Sequence, residues 1–453
     1  MSDTLSPSRL LLLLQHAADI HQSLSDLSTQ FAAGGADAQA ALRMLRNQSH
    51  QVRDLLQSLA HYAASERGLC EVGAKLCCTA VRISEVIFSR DDRVSWMAAF
   101  RDGTAPFVET GLKGKLLGNL GNALADSGRL NEAEAVLKQR FECAVSEADP
   151  AAVGVAKENL GKLLLRRGRF READPLLAEA FEVAKSISDE AAVTRLLKDV
   201  ADAAFRRNEA DLGVKYLEER LSRCKAVGDP LMRLSTCQIL AERLTVIGRL
   251  DEARSYADKA AAIAKPLRLP LRRAAIHGTL GNIAYEQKNY EAARIHFTSA
   301  RRTFRKLCRV VEQAMTATSL GLTAWKQGRL TQAARWFREA LEIDRATGRK
   351  NDEAIDLGNL AGVLADQGDD AGAVRHYSER IEILRTLDEQ SRAAETLWTL
   401  ANLHASNGRF DLARAAGNDA LAYFAQHEPV RTETIRPQLQ IWNERNRMAM
   451  AES

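Results

Sequence analysis

A pair of residues returns every 40 positions without slippage. Leu120-Gly121, Leu160-Gly161, Leu240-Ala241, Leu280-Gly281, Leu320-Gly321, Leu360-Ala361 and Leu400-Ala401 keep that spacing, and Val200-Ala201 fills the remaining slot. A fixed period of this length marks a stacked array and overrides any domain count drawn from length. Seven residues after each pair stands a turn residue: Gly128, Gly168, Asn208, Gly248, Lys288, Gly328, Gly368 or Gly408. Five further on is a small residue, from Ala133 to Ala413, and four beyond that a larger apolar one in most units, such as Leu137, Leu177, Phe297, Phe337 and Tyr377. Ala257 and Gly417 break this last rule. Apolar residues inside each unit recur at three- and four-residue intervals, the helical period. Glycine at the turn supplies the left-handed residue that ends a first helix. Each unit therefore reads as a helical hairpin of about 40 residues that cannot bury its own apolar face and must stack on neighbours.

The strings Leu117-Gly118-Asn119-Leu120-Gly121-Asn122 and Gly128-Arg129-Leu130-Asn131-Glu132-Ala133, with Leu360, Gly368, Ala373 and Tyr377, resemble a tetratricopeptide repeat (TPR). The 40-residue spacing is similar to the long-helix subclass of kinesin light chains, Leu-Gly-Asn-type adaptors and bacterial TPR regulators. The resemblance implies an all-α, right-handed α-solenoid of about eight hairpins over residues 112–425. It also implies a concave channel lined by the first helix of each pair, and protein binding in place of catalysis.

The ends lack the pattern. Residues 1–110 read as an N-terminal helical domain. Ser6-Pro7 starts one helix, Gly34-Gly35 interrupts it, and a second covers about Ala36 to Ser65. Residues 74–105 could hold a degenerate repeat with Ala80-Val81 in the Leu-Gly slot, although Arg93 stands where a small residue belongs. In residues 426–453, Thr432 to Arg447 forms a capping helix that turns Ile435, Leu439 and Trp442 onto the last hairpin.

Composition narrows the function classes. The balance of 63 Lys and Arg against 59 Asp and Glu gives +4, which excludes a globally basic nucleic-acid binder. The apolar run Leu10–Leu14 is far short of the roughly 20 residues that cross a bilayer, and no signal-peptide pattern accompanies it. Seven scattered cysteines read as buried free thiols, and a cytoplasmic location is expected. No Walker loop, His-Glu-x-x-His or Gly-x-Ser-x-Gly occurs. Cys70, Cys77 and Cys78 lack the second cluster that a tetrahedral metal site needs. The chain is expected to be no enzyme, with no cofactor and no metal.

Candidate binding residues follow from one face of the first helices. Asn119, Asn122, Asn159, Asn282, Asn359 and Asn402 form a row of amides, each with a donor and an acceptor for the backbone of an extended peptide. Lys162, Arg166, Arg195, Lys198 and Arg206 form a basic stretch, offset in part by Glu158 and Asp202, that suits an acidic segment or a C-terminal carboxylate. Tyr285, Leu322, Trp325, Lys326 and Trp398 offer aromatic and aliphatic anchors. Each of these has a plainer reading as inter-helix packing. The two-carboxylate clamp of other TPR proteins is not reproduced. Arg301, Arg302, Arg305, Lys306 and Arg309 lie along one side of a second helix and read as a solvated face, with an anionic partner such as lipid or nucleic acid as the lesser alternative. The expected function is a protein-protein scaffold or adaptor that binds a partner's peptide or helix. The alternative is a peptide- or ligand-responsive regulator whose N-terminal helices deliver the output, an arrangement that bacterial quorum-peptide regulators resemble.

Overall fold

In the computed structural model, residues 6–33, 35–79, 90–104, 110–267 and 269–451 are described. Every regular element among them is a helix. Four precede the array: α1 (Pro7–Ala33), α2 (Gly35–Tyr62), α3 (Arg67–Thr79) and α4 (Arg90–Thr104). Eight hairpins follow: α5 (Thr110–Asp126) with α6 (Leu130–Ser146), α7 (Pro150–Arg166) with α8 (Phe170–Ser186), α9 (Glu190–Arg206) with α10 (Ala210–Val227), α11 (Pro230–Val246) with α12 (Leu250–Ala264), α13 (Pro270–Glu286) with α14 (Tyr290–Lys306), α15 (Val310–Lys326) with α16 (Leu330–Thr347), α17 (Lys350–Asp366) with α18 (Asp370–Thr386), and α19 (Gln390–Ser406) with α20 (Phe410–His427). The last helix is α21 (Pro429–Ala451). Ala80-Val81, the slot proposed for a degenerate repeat, lies outside the described residues.

The chain forms two compact units, residues 1–223 and 224–453, divided within α10. In the first, one core joins α1–α4 to the opening hairpins through Leu24, Leu59, Leu69, Phe100, Leu116 and Leu120. In the second, α21 closes the last hairpin by burying Ile435, Leu439 and Trp442 against Ala413, Ala420 and Phe424.

Turn chemistry explains the even spacing. The turn glycines have φ between 70° and 81°, and Asn208 and Lys288 take the same left-handed conformation at 63° and 59°. Asp149 and Asp229 cap the next hairpin's first helix from an extended backbone, each followed by a proline in the first helical turn. The Leu-Gly glycine has a packing reason. A Cβ on Gly321 would stand 2.6 Å from the Phe337 ring, and one on Gly281 2.5 Å from Phe297. The larger apolar residue of the second helix thus fills the place of the missing side chain on the first. Gly417, which breaks that rule, faces α21 instead: its Cβ would lie 2.6 Å from Leu439 and 3.2 Å from Trp442.

Candidate functional site

In the first unit the face chosen from sequence becomes one continuous wall. Three ion pairs cross from one first helix to the next. Arg166 of α7 reaches Asp126 of α5 at 2.6 Å, Arg195 of α9 holds Glu158 of α7 through two bonds of 2.7 and 2.8 Å, and Lys162 of α7 lies 3.6 Å from Asp199 of α9. Asn119, Asn159, Lys162, Arg166, Arg195, Lys198 and Arg206 are therefore on connected elements with spacings set by the 40-residue period. Arg206 turns aside to Asp174 at 2.5 Å and covers the Phe170 ring, while Lys198 pairs with Asp202 at 3.2 Å.

The wall is more nearly charge-balanced than Glu158 and Asp202 alone would make it, since Asp126, Asp174 and Asp199 also face these cations. Burial works against the charge on Glu158, but Arg195 and Lys162 outweigh it and hold the carboxyl below its ordinary range. Burial dominates at Asp199 and pushes its carboxyl up, despite Lys162 and Lys198.

Two cations that form no ion pair among the described residues stand at one end of this wall, where Glu147 and Glu158 act on Arg140 only from longer range. A groove of about 480 Å³ is lined by Cys78, Lys115, Asn119, Asn122, Arg140, Val155, Glu158, Asn159 and Arg195. Arg140 comes up from α6 beneath Gly118, whose missing side chain leaves room for the guanidinium. It is 8% exposed, donates through Nη1 to the Gly114 carbonyl, leaves Nε without a partner, and forms no ion pair among the described residues. Its burial lowers the guanidinium's pKa. Lys115, exposed on α5, likewise makes no ion pair there. The last turn of α3 closes the groove. Burial pushes the Cys78 thiol up to about 11, opposed by its hydrogen bond with Asn119 and by the nearby Lys115 and Arg140 charges.

The second unit divides its candidates. Tyr285 packs edge-on to Tyr290 with centroids 5.5 Å apart. Leu322 and Trp325 join the core of the next hairpins, where Trp325 donates through Nε1 to Asp366 at 2.6 Å and lies over Gly362. Trp398 stacks on Trp442 of α21 at 5.3 Å, and Asn402 donates to the Trp398 carbonyl one turn back. The rings thus belong to three packing groups and not to one cluster. Asn282 and Lys326 are exposed and Asn359 is half-buried.

The first-helix face contains neither Arg140 nor Cys78, and the sequence marks Cys78 only as a thiol without a metal cluster and does not mark Lys115. A signal for Arg140 was available: its place in the 40-residue frame is Ala180, Ala260, Ala300, Ala340 and Ala420 in five units, and Arg140, Arg220 and Arg380 in the other three. Arginine in a column of buried alanines marks a place where the packing has been opened for a cation.

Models of the tetratricopeptide repeat match residues 116–139, 154–189 and 312–386. Among solved structures, the apo quorum sensor NprR from B. thuringiensis is similar over 76% of this chain and 97% of its own, with 13% identity and a TM-score of 0.56. A signal transduction ATPase with numerous domains and a tetratricopeptide repeat sensor, from Pyrococcus horikoshii, is similar over 93% of this chain and 72% of its own, with 12% identity and a TM-score of 0.51. Aspartyl phosphate phosphatase F from Bacillus subtilis is similar over 76% and 96%, with 9% identity and a TM-score of 0.50. At these identities the likeness is one of fold. No curated protein matches the chain by sequence.

Proposed function

The chain is a protein of tetratricopeptide repeats, and we propose that it is a non-enzymatic scaffold whose first unit binds a carboxylate-bearing peptide segment of another protein. The observation that carries this reading is Arg140. A guanidinium 8% exposed that forms no ion pair among the described residues, with Glu147 and Glu158 attracting it only from longer range, is costly unless an anion completes it. Arg140 and Lys115 supply the charge, and Arg195 can turn one of its donors from Glu158 to an incoming carboxylate. Asn119, Asn122 and Asn159 supply donors and acceptors to peptide backbone alongside. The ligand is an aspartate, a glutamate or a C-terminal carboxylate presented on an extended segment.

Selection from a displayed library of random peptides against the full chain tests this. Enriched sequences should carry acidic residues or require a free C-terminus, and Lys115→Glu with Asn159→Ala should weaken their binding by about tenfold or more. Enrichment without a carboxylate bias, or variants that bind like the parent, would overturn the assignment. Both positions are outside the buried core, so the fold survives the changes.

A second reading is favoured by one contact. Cys78, at the end of α3, shares the groove with Asn119, so a bound segment touches the N-terminal helices directly. A peptide that alters that contact would change the packing of α3 on α1 and α4, as a responsive regulator requires. Hydrogen exchange with and without a selected peptide separates the readings: slowed or accelerated exchange in α1–α4 supports a regulator, and change confined to α5–α9 supports a plain scaffold.

A further inference from the structure

From Lys259 to Arg309 the chain carries twelve Lys and Arg and only two acids, Glu286 and Glu291, although its total charge is +4. The remainder of the chain is therefore net negative, and this island is a local feature. It folds as the end of α12, the hairpin α13–α14 and the link into α15. Ala274 of α13 packs on Ala300 and Phe304 of α14, which sets the first turn of α13 beside the last turn of α14. The short link Leu307–Arg309 then leads into the first turn of α15. Lys265, Arg272, Arg273, Arg302, Arg305 and Lys306 are exposed along this edge, and none makes an ion pair among the described residues.

Aliphatic side chains run along the same edge. Leu231, Leu271 and Val311 are the second residues of α11, α13 and α15, first helices in contact with one another. With Leu307 and Val310 they are 38–57% exposed. Single exposed aliphatics are ordinary, but a row in register among unpaired cations is not.

We propose that this edge of the second unit docks on an anionic phospholipid surface. Exposed aliphatics enter the headgroup boundary, and long basic side chains beside them reach lipid phosphates while their stems remain in apolar surroundings. Nucleic acid accounts for the cations alone, since no stacking ring accompanies them among the described residues of this edge. The groove assigned to peptide lies in the other unit, so the two assignments stand separately.

Co-sedimentation of the full chain with vesicles tests the proposal. Vesicles with roughly 30% phosphatidylserine in phosphatidylcholine should retain the protein, pure phosphatidylcholine should not, and about 0.5 M salt should release it. The combined variant Arg302→Glu, Arg305→Glu, Lys306→Glu should bind about tenfold more weakly or worse. Leu271→Ser with Val311→Ser should also weaken vesicle binding while leaving the melting curve in place. Equal sedimentation with both vesicle types, sedimentation with neither, or a charge-reversed variant that binds like the parent would overturn it. So would an aliphatic variant with undiminished vesicle binding and a parent protein displaced by single-stranded DNA, since that pattern belongs to a general polyanion site.

Discussion

Asp356 illustrates how a single residue sets pH behaviour here. It is 1% exposed on α17, accepts from Thr318 Oγ1 at 2.8 Å and hydrogen-bonds to Asp344 of α16. Burial, reinforced by the nearby Asp344 charge, pushes its carboxyl up to about 7, while an unfolded aspartate titrates near its ordinary value. Between those limits the folded state holds a proton that the unfolded state has lost. Asp356 therefore makes stability fall as pH rises through this window, with no further change above it. Asp356→Asn keeps the shape and supplies a permanent donor. The variant should melt about 2–4 °C higher than the parent at pH 8 and about equally at pH 4, by thermal melts across that range. The half-buried pair His277 and His296 works in the opposite sense. Burial first, then neighbouring cations, lower both imidazoles, and their Nδ1 atoms lie 3.2 Å apart, one donating to the other. A depressed histidine pKa contributes stability above the unfolded value and loses it as pH falls through the unfolded and then the folded one. Replacing both with Gln should reduce the acid-side loss of α13–α14 protection in hydrogen exchange. Neither device was visible in the sequence, since each depends on which side chains stacking brings face to face.

At the scale of the helix, the Leu-Gly slot makes a sharp pair of predictions. Gly321→Ala drives a methyl to 2.6 Å from the Phe337 ring and should cost about 1–3 kcal/mol in a denaturant titration. Gly278→Ala, with nothing within 4 Å of the new methyl, should be neutral or stabilising by up to about 1 kcal/mol, because alanine favours the helix. Elements of this kind are legible in the sequence. The period placed all eight hairpins and their left-handed turns, including the unusual Lys288, because turn residues and helix lengths act locally. Cross-helix electrostatics were less legible. The basic stretch Lys162–Arg206 is visible in the sequence, but its counter-charges Asp126, Asp174 and Asp199 lie one helix away and only stacking reveals them. Arg140 was missed because it sits on a second helix, the side that a first-helix reading ignores. Gly118 and Gly358 each make room for an arginine 22 residues later, the buried Arg140 and the half-buried Arg380. Comparing the repeats column by column would have exposed that pairing.

For the molecule as a whole, stability is a sum over hairpins and their neighbours, so damage should stay local. Trp442→Ala removes a ring 2% exposed between α21 and the last hairpin and should cost about 3–5 kcal/mol there. Hydrogen exchange should accelerate first in α19 and α20, with α5–α9 unchanged. The same arrangement has a bearing on assembly. Hairpins of one length present to a newcomer the surface they present to each other, so nothing in an uninterrupted row forbids a second molecule from joining on and a third after it. At Gly417 that open invitation is withdrawn: the hollow where a further hairpin would seat already holds Leu439 and Trp442 of the chain itself, and α21 acts as a stopper against end-to-end polymerisation.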